Sequence, residues 1–359
     1  MLQYIVRRIL LSIPVLLGIL LVTFAMARLI PGDPCRAILG EKATQAVCDR
    51  FIRERGLDKP IHIQFGIYVG EMVRGDFGQS IRYSMPVTRM LVERLPMTVE
   101  LSFAALLVSM IVGIPLGIIS AVRHNTWVDV ITMVWANIGV SMPVFWLGLM
   151  LAYLFSLVLK DTPFWLPPSG RVSPGIPNDP FYEVWGLTVP DAGFWFLILQ
   201  FLSRLNILNA LLTANWELLK DSITHLILPS LALGTIPMAL IARMARSSML
   251  EVLGQDYIRT ARAKGLSQRK VILKHAFRNS LLPIVTVIGL SLGSLLGGAV
   301  LTETVFGLSG VGRTLYDAIT ARDYGIVQAF TVVIAIVFVI LNLLVDISYA
   351  YLDPRIRLE

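Results

Sequence analysis

Apolar residues in this chain fall into runs too long and too unbroken for a soluble core. After Tyr4-Ile5-Val6-Arg7-Arg8 comes a run from Ile9 to Ile30, and others occupy Val99 to Val122, Val130 to Leu159, Leu226 to Met249, Leu281 to Leu301 and Val327 to Tyr349. Each exceeds the roughly 18 apolar residues that mark a membrane-spanning helix. The pattern predicts an all-α, polytopic membrane protein with six transmembrane helices. Ser141-Met142-Pro143 interrupts the third run, and Pro229 and Pro237 lie inside the fourth. A proline frees a backbone carbonyl and kinks a helix, which either shapes a pathway or accommodates a curved bundle.

The polar stretches divide the chain. The first run is longer than the ~7–15 residues of a signal-peptide apolar region. Residues 1–30 are therefore expected to form an uncleaved N-terminal transmembrane helix, although Ala25-Met26-Ala27 resembles a cleavage site. Residues 31–96 are mixed and polar, with turn signals at Pro31-Gly32-Asp33-Pro34 and Gly75-Asp76-Phe77-Gly78, and predict a small extracytoplasmic module of short helices. A five-span core follows over 97–349, with an insertion at about 160–223 and a cytoplasmic elbow at about 250–280. Residues 350–359 form a cytoplasmic tail. The insertion is rich in Pro and Gly, then aromatic and apolar around Phe194-Trp195-Phe196-Leu197-Ile198-Leu199. Counting it as a span would reverse the sidedness of everything after it, so an interfacial helix at the outer face is expected.

Charge sets that sidedness. Between Arg243 and Arg278 lie nine Lys/Arg and only two acids, Glu251 and Asp256. Short cationic loops are not readily translocated, so this one is expected inside, with both termini. Arg7-Arg8 and Asp353-Pro354-Arg355-Ile356-Arg357 agree with that orientation. The net charge of +7 would suggest nucleic acid, but Lys and Arg cluster at the ends of apolar runs, which topology explains. No nucleic-acid partner is expected. Composition agrees with a chain in contact with membrane lipid: 15% of residues are charged, against about 25% in soluble domains.

Candidate chemistry is sparse. Cys35 and Cys48 lie in the first polar stretch, where an extracytoplasmic location permits a disulfide; two free thiols are the alternative. The four histidines (His62, His124, His225, His275) are scattered, and no metal site is expected. The chain has no Gly-Lys dipeptide, hence no phosphate-cradling loop, and no zinc or dinucleotide fingerprint. No cofactor and no catalytic residue are expected. The spans are poor in ionisable groups, Asp346 being the main exception, whereas ion-coupled carriers usually need buried acids or histidines. Uphill transport would thus draw energy from another subunit. A stand-alone channel or carrier, or a membrane-embedded enzyme, are the competing readings; the enzyme would need clustered His, Asp or Ser at one membrane face.

The basic loop is the strongest feature. Glu251 to Ala263 suits a helix, Gly265 its stop, and Ser267 the N-cap of a second helix. Ala261 and Ala263 leave room for a partner, Arg259, Arg262 and Lys264 supply positive charge, and Tyr257 and Thr260 complete the segment. In the fifth run Gly289, Gly293 and Gly297 recur at i, i+4, a spacing that packs helices closely. Alternatively these glycines, with Ser291 and Ser294, line a translocation path, to which Ser141 and Pro143 are further candidates. The loop Glu303 to Tyr324 is expected outside, either meeting a binding protein, plugging the cavity, or forming a structural re-entrant segment.

Ser247-Ser248-Met249-Leu250-Glu251-Val252-Leu253 and Asp256 to Leu266 resemble the cytoplasmic coupling signature of binding-protein-dependent ABC permeases. The chain is most similar to the first permease subunit of dipeptide/oligopeptide importers. His275-Ala276-Phe277-Arg278-Asn279-Ser280-Leu281-Leu282-Pro283, Thr302-Glu303-Thr304-Val305-Phe306, Gly310-Val311-Gly312-Arg313 and Ala321-Arg322-Asp323-Tyr324 follow in the family's order. The resemblance covers nearly the whole chain except about 160–220. It departs from the general Glu-Ala-Ala, three residues, Gly signature, having Arg259-Thr260-Ala261 before Gly265. The resemblance implies a type I ABC importer permease fold in a bacterial inner membrane. It also implies a second homologous permease, two cytoplasmic ATPase subunits, an extracytoplasmic solute-binding protein and a peptide substrate. ATP hydrolysis would then occur on other subunits. Glutathione, nickel complexes or other peptide-like solutes are alternative cargoes within the same family.

Overall fold

A computed structural model describes residues 2–29, 44–54, 56–80, 82–189 and 193–352. Its helices are α1 (Leu2–Leu29), α2 (Gln45–Glu54), α3 (Ile61–Val73), α4 (Val87–Val122), α5 (Trp127–Ser141) and α6 (Val144–Ala152). Then come α7 (Phe181–Val184), α8 (Phe194–Ser203), α9 (Asn206–Leu212), α10 (Trp216–Leu253), α11 (Asp256–Ala263), α12 (Gln268–Lys270), α13 (Arg278–Gly298), α14 (Val300–Val305), α15 (Val311–Thr320) and α16 (Tyr324–Leu352). A π-helical turn extends α6 over Tyr153–Val158, and another, Val271–Phe277, joins α12 to α13. Residues 30–43 and the tail from 353 onward lie outside the described residues.

Five helical stretches are long and apolar enough to cross a membrane: Gln3–Met26, Val87–Val122, Trp216–Leu253, Gln268–Gly297 and Tyr324–Ser348. Two further pairs qualify only together. The α5 pair bends by 99° at Met142-Pro143, and the α8–α9 pair by 92°. A six-span count takes the first pair as one broken span and leaves the second out. Two helices exceed their expected bounds. α4 begins at Val87 rather than Val99, within the module assigned to 31–96, and α10 begins at Trp216 rather than Leu226. At 1.5 Å per residue the 36 residues of α4 extend about 54 Å, well past a hydrocarbon layer of about 30 Å. The early turns carry Arg89, Glu93 and Arg94, so a purely apolar criterion starts the helix too late.

The α4–α10 pair is the frame, and small residues let the two backbones approach. A side chain on Gly113 would fall 2.7 Å from the Met238 carbonyl, and one on Gly117 would overlap Ala245 and the Ala242 carbonyl. From the other side, a side chain on Gly234 would sit 2.7 Å from the Ala105 carbonyl. The Ser109 hydroxyl bridges the pair, donating to the carbonyls of Ala105 and Gly234, each at 2.7 Å. Met97, Leu101, Leu228, Ile241, Ile284 and Phe306 fill the core around it. α1 lies outside, held by Phe24 and Leu20 against Tyr68 of α3 and Val332 of α16, and by the Arg8 Nε–Asp346 Oδ2 bond at 2.6 Å.

The segment from Glu303 to Tyr324 is part of the core. Glu303 is fully buried; its Oε1 accepts from the Thr98 hydroxyl at 2.7 Å and its Oε2 from the Arg313 N–H at 2.8 Å. Thr98 Oγ1 in turn accepts from the Val311 N–H at 2.8 Å. A side chain on Gly310 would occupy the carboxylate's place. Burial pushes the Glu303 pKa up, opposed by the bonds from Arg313 and Thr98.

Gly117→Val should lower the unfolding temperature of the purified chain, since overpacking of a tight contact costs about 1–3 kcal/mol. Gly18→Val, at a position with nothing within 4 Å, should leave it unchanged. Equal thermal melts for the two variants would contradict the frame described.

Candidate functional site

The basic loop folds as a short protruding elbow. α10 ends at Leu253; Gly254 and Gln255 break the helix that the sequence suggested would run unbroken from Glu251 to Ala263. α11 starts with Asp256 in its first turn and carries Arg262 in its last, which complements the helix dipole. It stops where Gly265 adopts φ +73°, the left-handed conformation that glycine enters without steric cost. The Gly265 N–H donates to the Arg262 carbonyl at 3.0 Å and the Leu266 N–H to the Ala261 carbonyl at 3.4 Å, a Schellman closure. Ser267 precedes α12 as expected, but its side chain makes no capping bond.

α11 has two faces. Ile258 and Ala261, one turn apart, are buried against Ala121, Met249, Val271 and Ala276. Tyr257, Arg259, Thr260, Arg262, Ala263, Lys264 and Gly265 are exposed. This corrects the expectation for Ala261: its small size serves the chain's own packing, and only Ala263 is open to a partner. The Tyr257 hydroxyl accepts from Asn279 Nδ2 at 3.2 Å, fastening α11 to the start of α13. Arg269, Lys270 and Lys274 extend the exposed basic surface beyond the elbow.

The two helices that leave the elbow also wall a cleft of about 430 Å³. α10 contributes Leu233, Ile236, Pro237 and Leu240; α13 contributes Val287, Leu290, Ser291, Ser294 and Leu295. Val144, Leu301 and Thr302 complete it. Ser294 is exposed there, and the Ser291 hydroxyl is buried without a hydrogen-bond partner. The glycines of α13 lie on another face. Side chains on Gly289 and Gly293 would overlap Val345 and Phe338 of α16, whereas nothing lies within 4 Å of Gly297. Ser141, whose hydroxyl donates to the Asn137 carbonyl at 3.2 Å, and Pro143 sit at the α5–α6 bend, next to Val144.

Sequence reasoning missed two groups. The α10 wall is uniformly apolar on either side of Pro237, so no change of polarity marks which face lines the cleft. The second is the clamp between α4, α5 and α10: Arg246 Nε and Nη2 donate to Asp129 Oδ1 and Oδ2 at 2.8 and 2.7 Å, with Ser120 donating to the same carboxylate. An acid directly before the third apolar run was the available signal. Cys48 is buried and disulfide-bonded, while Cys35 lies outside the described residues.

Residues 113–358 match the family described as binding-protein-dependent transport system inner membrane component, and residues 1–102 match its N-terminal membrane component. The dipeptide transport system permease protein DppB of Alkalihalophilus pseudofirmus is 46% identical over 99% of this chain and 100% of its own length. The protein of the same name from Escherichia coli is 43% identical over 99% of each chain. The oligopeptide transport system permease protein AppB of Bacillus subtilis is 37% identical over 99% of this chain and 100% of its own length.

Ala261→Trp should destabilise the chain by about 1–3 kcal/mol through overpacking. Arg262→Glu, on the exposed face, should change stability by no more than about 0.5 kcal/mol. Thermal unfolding in detergent reads both, and a tolerated tryptophan would show that α11 is not seated as described.

Proposed function

The chain belongs to the family of binding-protein-dependent transport system inner membrane components, and on that premise we propose how it works as the permease subunit of a peptide importer. It forms half of the translocation path for dipeptides or oligopeptides and pairs with a second, homologous permease. Two cytoplasmic ATPase subunits supply the energy, and an extracytoplasmic binding protein delivers the peptide. The chain itself carries out no covalent chemistry.

One observation carries this reading: α11 is seated by Ile258 and Ala261 between the end of α10 and the π-helical turn that leads into α13, and those two helices wall the cleft. A displacement of the exposed face of α11 by an ATPase is therefore delivered to both walls. The Gly265 closure and the Tyr257–Asn279 bond fasten the lever at both of its ends. The nine-cation segment supports placing this elbow, and with it both termini, on the cytoplasmic side of a bacterial inner membrane.

Ion-coupled transport by this chain alone finds little support. The extended bounds of the helices do place more acids on them than the apolar runs suggested. Yet Glu100 is paired with Arg171, Asp129 with Arg246 and Asp346 with Arg8. Acids held in this way are poor candidates for carrying protons across.

The assembled transporter in proteoliposomes tests the coupling. Gly265→Pro, which forces φ to about −65° in place of +73°, should abolish uptake of labelled peptide while the chain still inserts and assembles. The double variant Arg259→Glu with Arg262→Glu should do the same by inverting the charge of the exposed face. Undiminished uptake in either, or uptake by the purified chain alone under an ion gradient, would refute the proposal.

A further inference from the structure

A groove of about 720 Å³ lies outside the core, between α1 and the junction of α15 with α16. Val15, Val22 and Met26 of α1 line one wall, and Ile319 and Val327 line the other. All but Val327 are exposed, so the groove opens to the outside of the bundle. Polar groups in its wall are already satisfied. Gln328 Nε2 donates to the Thr23 carbonyl at 3.2 Å, and the Thr23 hydroxyl shares a 3.1 Å hydrogen bond with the Tyr68 hydroxyl.

Length and charge say what fits. From Val15 to Met26 α1 rises about 16 Å, at 1.5 Å per residue. That is about half of a hydrocarbon layer ~30 Å thick, the depth of one leaflet. Arg322, between α15 and α16, lines the end of the groove and is exposed. Among the described residues its guanidinium has no hydrogen-bond or ion-pair partner. Asp323 beside it does not neutralise it, being buried with Oδ2 bonded to the Ser80 hydroxyl at 2.6 Å. No acid lines the groove among the described residues. By contrast Arg8, at the other end of the same helix pair, is held by Asp346.

We propose that this groove binds an anionic phospholipid, with one acyl chain along α1 and the phosphate held by the Arg322 guanidinium. Apolar walls alone would not make a site, since a lipid tail gains nothing hydrophobic by leaving the bilayer for the protein. Selection comes from the head. A guanidinium forms paired, charge-assisted bonds with phosphate oxygens, and at the edge of the hydrocarbon these are weakened less than in bulk water. Without a carboxylate in the lining, the ammonium of phosphatidylethanolamine finds no partner there. Phosphatidylglycerol carries only the charge that Arg322 complements. The bound lipid would join α1 to the turn before α16. The site lies apart from the elbow and the cleft and does not depend on the transport reading.

Delipidated full-length chain in detergent, titrated with phosphatidylglycerol and read by native mass spectrometry, tests this. One equivalent should bind, in preference to phosphatidylethanolamine. Phosphatidylglycerol with a photoreactive acyl chain should label the segment Val15–Met26 in peptide mapping. Arg322→Ala should weaken binding by about tenfold, through loss of the charge-assisted contact. Val22→Trp should abolish the acyl-chain labelling by filling the groove while leaving Arg322 in place. Both positions are exposed, so neither substitution disturbs the core. Non-saturating uptake of many lipids, equal affinity for the two headgroups, labelling outside the groove, or undiminished binding by folded Arg322→Ala would show boundary lipid alone and overturn the assignment. Should neither variant fold, headgroup preference and labelling of the unmodified chain decide.

Discussion

Inside a bilayer, water does not drive one apolar helix onto another, because lipid tails are as apolar as leucine. The frame of this protein therefore depends on how closely two backbones can approach. Gly113 and Gly117 on α4, Gly234 on α10 and the bridging Ser109 hydroxyl meet that requirement along one seam. A methyl group at any of the three glycines would push the helices apart. The core side chains then fit the separation that the glycines define, with Leu101, Leu228 and Ile241 fully buried around it.

Polar fastenings close the frame at both ends. Toward one end, Glu303 ties α14 and α15 to Thr98 of α4, and Glu100 accepts from Arg171 and from the Ile207 N–H of the insertion. Toward the other, Asp129 and Arg246 join α5 to α10. Opening these joints would leave the buried carboxylates of Glu303, Glu100 and Asp129 without their partners, so the joints resist opening. Between them the cleft walls meet through apolar side chains, with Pro237 and Pro283 interrupting the helical bonding of α10 and α13. Movement is cheapest where no such joint has to break.

Much of this was legible in the apolar runs, because a spanning helix must satisfy its own backbone and advertises itself by length. What escaped was whatever sits beyond the hydrocarbon. The charged early turns of α4 and the polar start of α10 are as helical as the rest, yet nothing apolar marks them. The glycine pattern was read on α13, where Gly289 and Gly293 do pack against α16; the seam that matters most, at Gly113 and Gly117, went unmarked. Nor does sequence spacing reveal partners separated by long loops, such as Glu303 with Thr98 or Arg246 with Asp129. In the elbow eight residues of helix carry two faces, and the small residues were all credited to one of them.

That division also accounts for the chain's departure from its family's signature. Aligned on Gly265, the positions of Glu-Ala-Ala are taken by Arg259, Thr260 and Ala261. The first two are exposed, so this chain's own packing does not limit their identity. The third is enclosed by Met249, Val271 and Ala276, where a larger side chain has no room. The glycine is tied to its φ of +73° and to the closure it makes. A signature built on such an elbow must keep the inward alanine and the glycine, while its packing leaves the outward positions free. Under the coupling proposed above, Arg259 and Thr260 would mark which ATPase the permease fits, and Ala261 and Gly265 would keep the elbow's shape.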